Sequence, residues 1–129
     1  MSMAQIAAEP SAAVPEVMDR QAALARLEGD RELLGEMASL FLEDCDPALR
    51  RIRRAIKRLD SRSAALEAHA LKGSLASLAA TEARRTAAEL EALAVCEDHS
   101  KAAEACDRLV SALQRLRPML QDLAHSAAP

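Results

Sequence analysis

The sequence predicts an all-α fold, an antiparallel up-down four-helix bundle with a short N-terminal capping helix. Three observations carry that expectation. Half of the residues are hydrophobic, while Phe41 is the single aromatic residue and there are three glycines. Strands favour β-branched and aromatic side chains, so a sheet has little to build from. Apolar residues, chiefly alanine and leucine, recur at helical spacing through most of the chain. The stretches between these periodic runs are short, which makes successive helices antiparallel neighbours. A length of 129 residues supports one domain with one core.

The elements follow in order. Residues 1–17, rich in Ala and Ser with Pro10, read as a mobile tail. Asp19 is suited to cap a short helix over about 20–28, and Gly29 to end it. Asp30 caps the first bundle helix, 31–59, where Leu33, Leu34, Met37, Leu40 and Phe41 recur with the helical period. Pro47 is expected to interrupt or kink it near Asp44-Cys45-Asp46. Leu49, Ile52, Ala55, Ile56 and Leu59 then face inward. Asp60-Ser61 connects tightly to a helix over 62–79, and Thr81 caps the next, 82–96, with Ala87, Leu90 and Ala94 inward. Glu97-Asp98-His99-Ser100 is a polar turn before a helix over 100–117. That helix turns in Ala102 or Ala103, Cys106, Leu109, Val110, Leu113 and Leu116. Pro118 marks its end or a kink, which leaves the bundle at 18–118 and residues 119–129 as a C-terminal extension.

Composition excludes several functions. No apolar run approaches the ~20 residues that span a bilayer. The start, Met1-Ser-Met-Ala-Gln-Ile, lacks the charged and apolar regions of a secretory signal, so a cytoplasmic protein without a membrane partner is expected. Cys45, Cys96 and Cys106 are an odd set with no C-x-x-C pair, so neither a disulfide framework nor a zinc site is signalled. They read as small packing residues, although Cys96 and Cys106 could approach one another across a helical hairpin. His99 and His125 read as solvated, and no spacing unites the histidines and carboxylates into a metal site. Arg50, Arg51, Arg53, Arg54, Lys57 and Arg58 place six cations within nine residues on the face opposite Leu49, Ile52, Ile56 and Leu59. The formal charge of −3 and the lack of aromatic stacking platforms argue against nucleic acid. A solvated face fits best, and docking to an acidic protein surface is the alternative.

The candidate site is on the helix over 62–79. At roughly 100° per residue, Ala64, Ala68, Leu71, Leu75 and Leu78 form one narrow core-facing stripe. His69 falls on the opposite side, among Arg62, Ala65, Leu66, Lys72, Gly73 and Ala76. A histidine there is open to solvent. The plain alternative is an ordinary surface histidine. Against it stands Gly73, because a mid-helix glycine costs about 1 kcal/mol relative to alanine and needs a reason. Clearance for a second protein closing over the ring is such a reason; packing against another helix is the other. No phosphate-cradling glycine loop or Mg²⁺-binding acidic motif is present, so the chain is not expected to bind ATP or phosphorylate itself. A neutral imidazole is nevertheless a nucleophile at near-neutral pH.

The stretch Ala68-His69-Ala-Leu71-Lys72-Gly73-Ser74-Leu75-Ala76-Ser77-Leu78-Ala79-Ala80 resembles the signature of histidine-containing phosphotransfer (HPt) domains of two-component phosphorelays. Asp19…Leu24…Arg26-Leu27…Gly29-Asp30…Leu33-Leu34…Glu36…Phe41 resembles the lead-in of that family, and Ala88-Glu89-Leu90-Glu91 the helix after the histidine helix. The resemblance covers about residues 18–117. Ala79 departs from it, standing where the family has glycine, which suggests a longer histidine helix or a different exit turn. The resemblance implies that His69 is a phosphoacceptor, taking a phosphoryl group on its distal ring nitrogen from a receiver-domain aspartyl phosphate and passing it to another receiver. Lys72 would stand beside the phosphoryl oxygens, unless it is only a solubilising lysine. Arg62, Ala65, Leu66, Gly73 and Ala76 would form the partner-binding surface, with Ser74 and Ser77 as minor polar candidates. The implied partners are response-regulator receiver domains, with a hybrid histidine kinase as a further candidate, and the chain itself is expected to be a monomer. It needs no cofactor of its own, Mg²⁺ being expected on the receiver. A helical adaptor of the same fold that binds without obligatory phosphotransfer is the alternative.

Overall fold

The computed structural model describes residues 17–127, and among them five helices and no strand. We label them α1 (Arg20–Arg26), α2 (Arg31–Lys57), α3 (Ser61–Ser77), α4 (Thr81–Val95) and α5 (His99–Ala127). Helix α2 packs on α3 and α5, and α4 closes the ring by packing on both of these. This is the all-α bundle that the composition implies, with α1 as a short element against α2. The tail expected over 1–17 lies outside the described residues except for Val17, which packs against the core beside the buried Met18.

Asp19 and Asp30 cap helices as the sequence suggests, and Asp60, expected only in a tight connection, caps a third. The carboxylates of Asp19, Asp30 and Asp60 accept hydrogen bonds from the backbone N–H groups of Ala22, Leu33 and Ser63 at 3.0, 3.0 and 3.1 Å. Each satisfies one of the amides that a first helical turn leaves unpaired. Gly29 ends α1 in the left-handed region at φ 81°, and its N–H reaches the Leu24 carbonyl at 2.8 Å.

The three reversals between bundle helices share one device. Leu59, Ala79 and Glu97 adopt φ of 58°, 54° and 60°. The residue after each returns its N–H to a carbonyl five positions back: Asp60 to Ala55, Ala80 to Leu75 and Asp98 to Leu93, at 2.8–3.0 Å. This is the Schellman arrangement, which satisfies the last carbonyls of a helix and turns the chain sharply. The same residue then starts the next helix, and Asp60 and Asp98 cap it with their carboxylates. Ala80 has no oxygen to do so, and the expected cap Thr81 is already the first helical residue. The connection is instead tied from outside, where the Asp19 N–H donates to the Ala79 carbonyl at 3.0 Å. Ala79 does not lengthen the histidine helix, which ends at Ser77; alanine takes up the left-handed conformation itself.

Neither proline ends its helix. Helix α2 is continuous through Pro47 and α5 through Pro118. Proline withholds one N–H and crowds one carbonyl, but buried side chains on either side hold the backbone in place. These are Cys45, Ala48 and Leu49 in α2, and Leu116 and Leu120 in α5. Helix α5 therefore carries the chain to Ala127, so most of the extension placed at 119–129 is helical.

The core takes in the predicted stripe of α3: Ala64, Ala68, Leu71, Leu75 and Leu78 are each at most 5% exposed. From α4 it takes Ala87, Leu90 and Ala94, and from α5 Ala102, Cys106, Leu109, Leu113 and Leu116, while Val110 is half-buried. Three leucines of the helix expected over 31–59 depart from expectation. Leu33 and Leu40 are 41% and 58% exposed beside the buried Leu34 and Phe41. Leu59 is 66% exposed, because the left-handed turn residue points away from the bundle. Cys96 is exposed and Cys106 buried, and both are free, so no disulfide joins them.

Candidate functional site

Burying the α3 stripe turns the opposite side of the helix outward, and His69 is 65% exposed there. What holds the ring comes from the neighbouring helix. Its Nδ1 lies 2.9 Å from Oε2 of Glu91 on α4, and Nζ of Lys72 lies 2.6 Å from the other oxygen, Oε1. One carboxylate thus joins two α3 side chains spaced three residues apart, on one flank of the helix. Glu91 stands in this position because Ala87, Leu90 and Ala94 fix the rotation of α4 against the core.

The contact favours one tautomer of the ring. An ionised carboxylate can only accept, so Nδ1 donates its hydrogen and Nε2 keeps its lone pair in the neutral tautomer. The hydrogen bond from Lys72 holds the Glu91 carboxyl below the usual carboxylate range, and the bond from His69 pulls the same way against partial burial. Glu91 is therefore anionic at neutral pH. The arrangement presents an oriented imidazole with a free Nε2, a carboxylate behind it and an ammonium alongside.

The other predicted site residues surround it unevenly. Arg62 and Gly73 are exposed and Leu66 is 61% exposed, so the outward face has an apolar centre one turn before His69. Ala65 is half-buried against the small cluster of Ala55, Ala64 and Ala94. Ala76 is half-buried, and its carbonyl accepts a hydrogen bond from the Arg26 guanidinium of α1. A Cβ built on Gly73 would meet nothing within 4 Å. Packing within this chain therefore does not require a glycine at 73. Ser77 turns its hydroxyl back to the Gly73 carbonyl at 3.3 Å, a local bond within the helix. Ser74 is exposed in a shallow hollow with Met37, Leu40 and Phe41 of α2, on the flank away from Glu91.

Glu91 is the residue that sequence reasoning left outside the site. Its partner is 22 positions away, and helical periodicity reports only which way a residue faces on its own helix. The signal available was weak: an acidic residue next to buried Leu90, and one turn from buried Ala87 and Ala94, on the helix after the histidine. Among the described residues no group of His, Cys, Asp and Glu is arranged to hold a metal ion, and no helix is long and apolar enough to cross a membrane.

No curated protein and no solved structure matches the chain. A family model does, that of the Hpt domain, over residues 36–126. The matched span runs from the first turns of α2 almost to the end of α5, and so contains all four bundle helices and the His69–Glu91–Lys72 cluster. It covers well over half of the chain, and with it comes a phosphotransfer-related role in two-component signalling: the chain belongs to the Hpt domain family.

Proposed function

We propose that this chain is a histidine phosphotransfer protein that takes a phosphoryl group onto Nε2 of His69 from a receiver-domain aspartyl phosphate and gives it to another receiver. The observation that carries the reading is the Glu91 carboxylate on Nδ1, which leaves Nε2 as the exposed nucleophile. In the forward step the Nε2 lone pair forms the N–P bond while the bond between phosphorus and the aspartyl oxygen breaks, and the carboxylate leaves. The hydrogen on Nδ1 stays in place. The positive charge that develops on the ring is met by Glu91, so no proton has to move during transfer. The return step is the reverse, with a second receiver's carboxylate attacking phosphorus. An ammonium has three N–H donors, and Lys72 uses one toward Glu91, so others remain for the phosphoryl oxygens. Any Mg²⁺ would sit on the receiver, which brings its own acidic site.

Arg62, Ala65, Leu66, Gly73 and Ala76 make up the docking face in this reading. Leu66 is the apolar contact and Gly73 the clearance that lets receiver loops approach the ring. The test is to mix the protein with a receiver charged by acetyl phosphate and look for acid-labile, base-stable phosphate on it. The wild type should take label, and His69→Gln should take none while melting within about 0.5 kcal/mol of it, as exposed positions do. Label on the variant, or its unfolding, would refute the assignment. A wild type that binds receiver but never takes label would be an adaptor instead.

A further inference from the structure

The phosphotransfer reading makes no use of the basic segment of α2. Within 50–58 there are six cations and no acid. The structure divides five of them between two sides of the helix, and Arg58 lies just beyond its end. Arg51 turns toward α3 and pairs with Glu67 at 2.8 Å. Arg50, Arg53, Arg54 and Lys57 line a groove of about 480 Å³ along the seam between α2 and α5. Ile56, Ala103 and Cys106 give that groove an apolar lining. Only Arg53 has an acidic partner there, Asp107 at 3.5 Å across the groove. Arg50, Arg54 and Lys57 have none among the described residues, although they lie at i, i+4 and i+7 on a single stripe.

The pattern works against the helix that carries it. Arg50–Arg54, Arg53–Lys57 and Arg54–Arg58 are like-charged at i, i+4, which disfavours a helix. Cations near a helix C-terminus do complement the helix dipole, and Arg54 and Lys57 lie in the last turn of α2, but that effect fades beyond the turn and does not reach Arg50, two turns from Lys57. An apolar channel edged by unpaired guanidinium and ammonium groups is complementary to an element with acidic edges and an apolar ridge. We infer that the α2/α5 groove is a docking site for an acidic amphipathic segment of a partner protein. The guanidinium groups would take its carboxylates, and Ile56 and Ala103, above the buried Cys106, its apolar side chains.

Position adds to the consequence. The bundle packs in the order α2, α3, α4, α5, so the α2/α5 seam lies across the molecule from the α3/α4 seam that holds His69 and Glu91. A partner in the groove would leave His69 uncovered, and two proteins could be held at once. The inference does not depend on what His69 does.

The test uses the full chain and a fluorescent helical peptide built from glutamate and leucine, with its lysine–leucine counterpart and a single-stranded DNA oligonucleotide for comparison. The acidic peptide should bind, more weakly as salt rises. It should shift backbone amide resonances of 50–57 and 103–107 and not those around His69. Joint replacement of Arg50, Arg54 and Lys57 by glutamine should weaken binding about tenfold. Replacement by glutamate should abolish it, with circular dichroism confirming a folded bundle for both variants. The proposal is overturned by unchanged binding in the glutamine variant, by shifts confined to the His69 face, or by DNA binding at least as tight as the acidic peptide. It is equally overturned by a concentration-dependent dimer of the chain that the substitutions disrupt, since the occupant would then be a second copy.

Discussion

Glu91 binds two residues of a helix to which it does not belong, and its own ionisation records both contacts. Its carboxyl is lowered first by Lys72 and then by His69. A group depressed in the folded state stabilises the fold at pH above its unfolded value, about 4.3 for glutamate, and that contribution is lost as pH falls through the lowered value. The link is therefore fully present at neutral pH. Lys72→Met removes the leading cause, so the Glu91 carboxyl should titrate closer to its ordinary value, which side-chain carbon NMR across an acid titration would follow. An unmoved titration would mean that Lys72 is not on Glu91 in solution. Glu91→Ala should lower the melting temperature only slightly, as exposed ion pairs contribute little, but slow phosphoryl uptake about ten- to a hundredfold, because the ring is no longer held in one tautomer and direction. Uptake at the wild-type rate would show that orientation does not limit the step. Gly73 makes a separate case. With open space around its Cβ position, Gly73→Ala should stabilise α3 by about 1 kcal/mol, visible as a melting temperature higher by several degrees. Gly73→Leu should also fold but react with a receiver much more slowly. A lower melting temperature for the alanine variant would show that glycine serves packing here.

At the scale of the helices, the ends hold more strain than the middles. Leu59 takes a left-handed φ with its side chain in water, so the conformation is not offset by burial. Leu59→Gly should stabilise the bundle by roughly 0.5–1 kcal/mol in chemical denaturation, because glycine adopts that region without a Cβ clash. Ala79 differs: it is 8% exposed, and glycine there would relieve strain while removing a packed methyl group. Helix positions were legible in the sequence because capping aspartates and period-3.6 leucines are local signals. Asp19 and Asp30 cap as read, Asp60 caps where the sequence suggests only a tight connection, and the α3 stripe is buried as read. What failed was non-local. Leu33 and Leu40 belong to the apolar pattern but fall at its margin, where burial depends on which neighbour covers them. Pro47 and Pro118 carry a local signal for a break or a kink, and tertiary packing overrides the break at both. The outward placement of His69 follows from its own helix, whereas Glu91 needed the packing angle between two helices.

Across the whole molecule, the three cysteines report how completely the core excludes solvent. Burial pushes the Cys45 thiol up to about 11, and burial likewise raises Cys106, while Cys96 lies exposed at the end of α4. Thiolate is the reactive form, so a disulfide reagent in mildly alkaline buffer should modify Cys96 alone in the folded protein and every cysteine after denaturation. Fast modification of Cys45 or Cys106 under native conditions would mean that the bundle opens far more readily than its packing implies. The short reversals bear on the same integrity. Each joins two helices through one left-handed residue and one capping position, with no slack between them. Between Ser77 and Thr81 this works as a phase lock, because one residue added there would advance α4 by about 100° relative to α3. Either the α4 core residues would roll out of the bundle, or they would stay and the extra residue would bulge into solvent. The alignment of Glu91 with His69 is thus set at the turn, midway along the 22 positions that separate them, and a one-residue insertion should separate the two outcomes without altering a single side chain of the site.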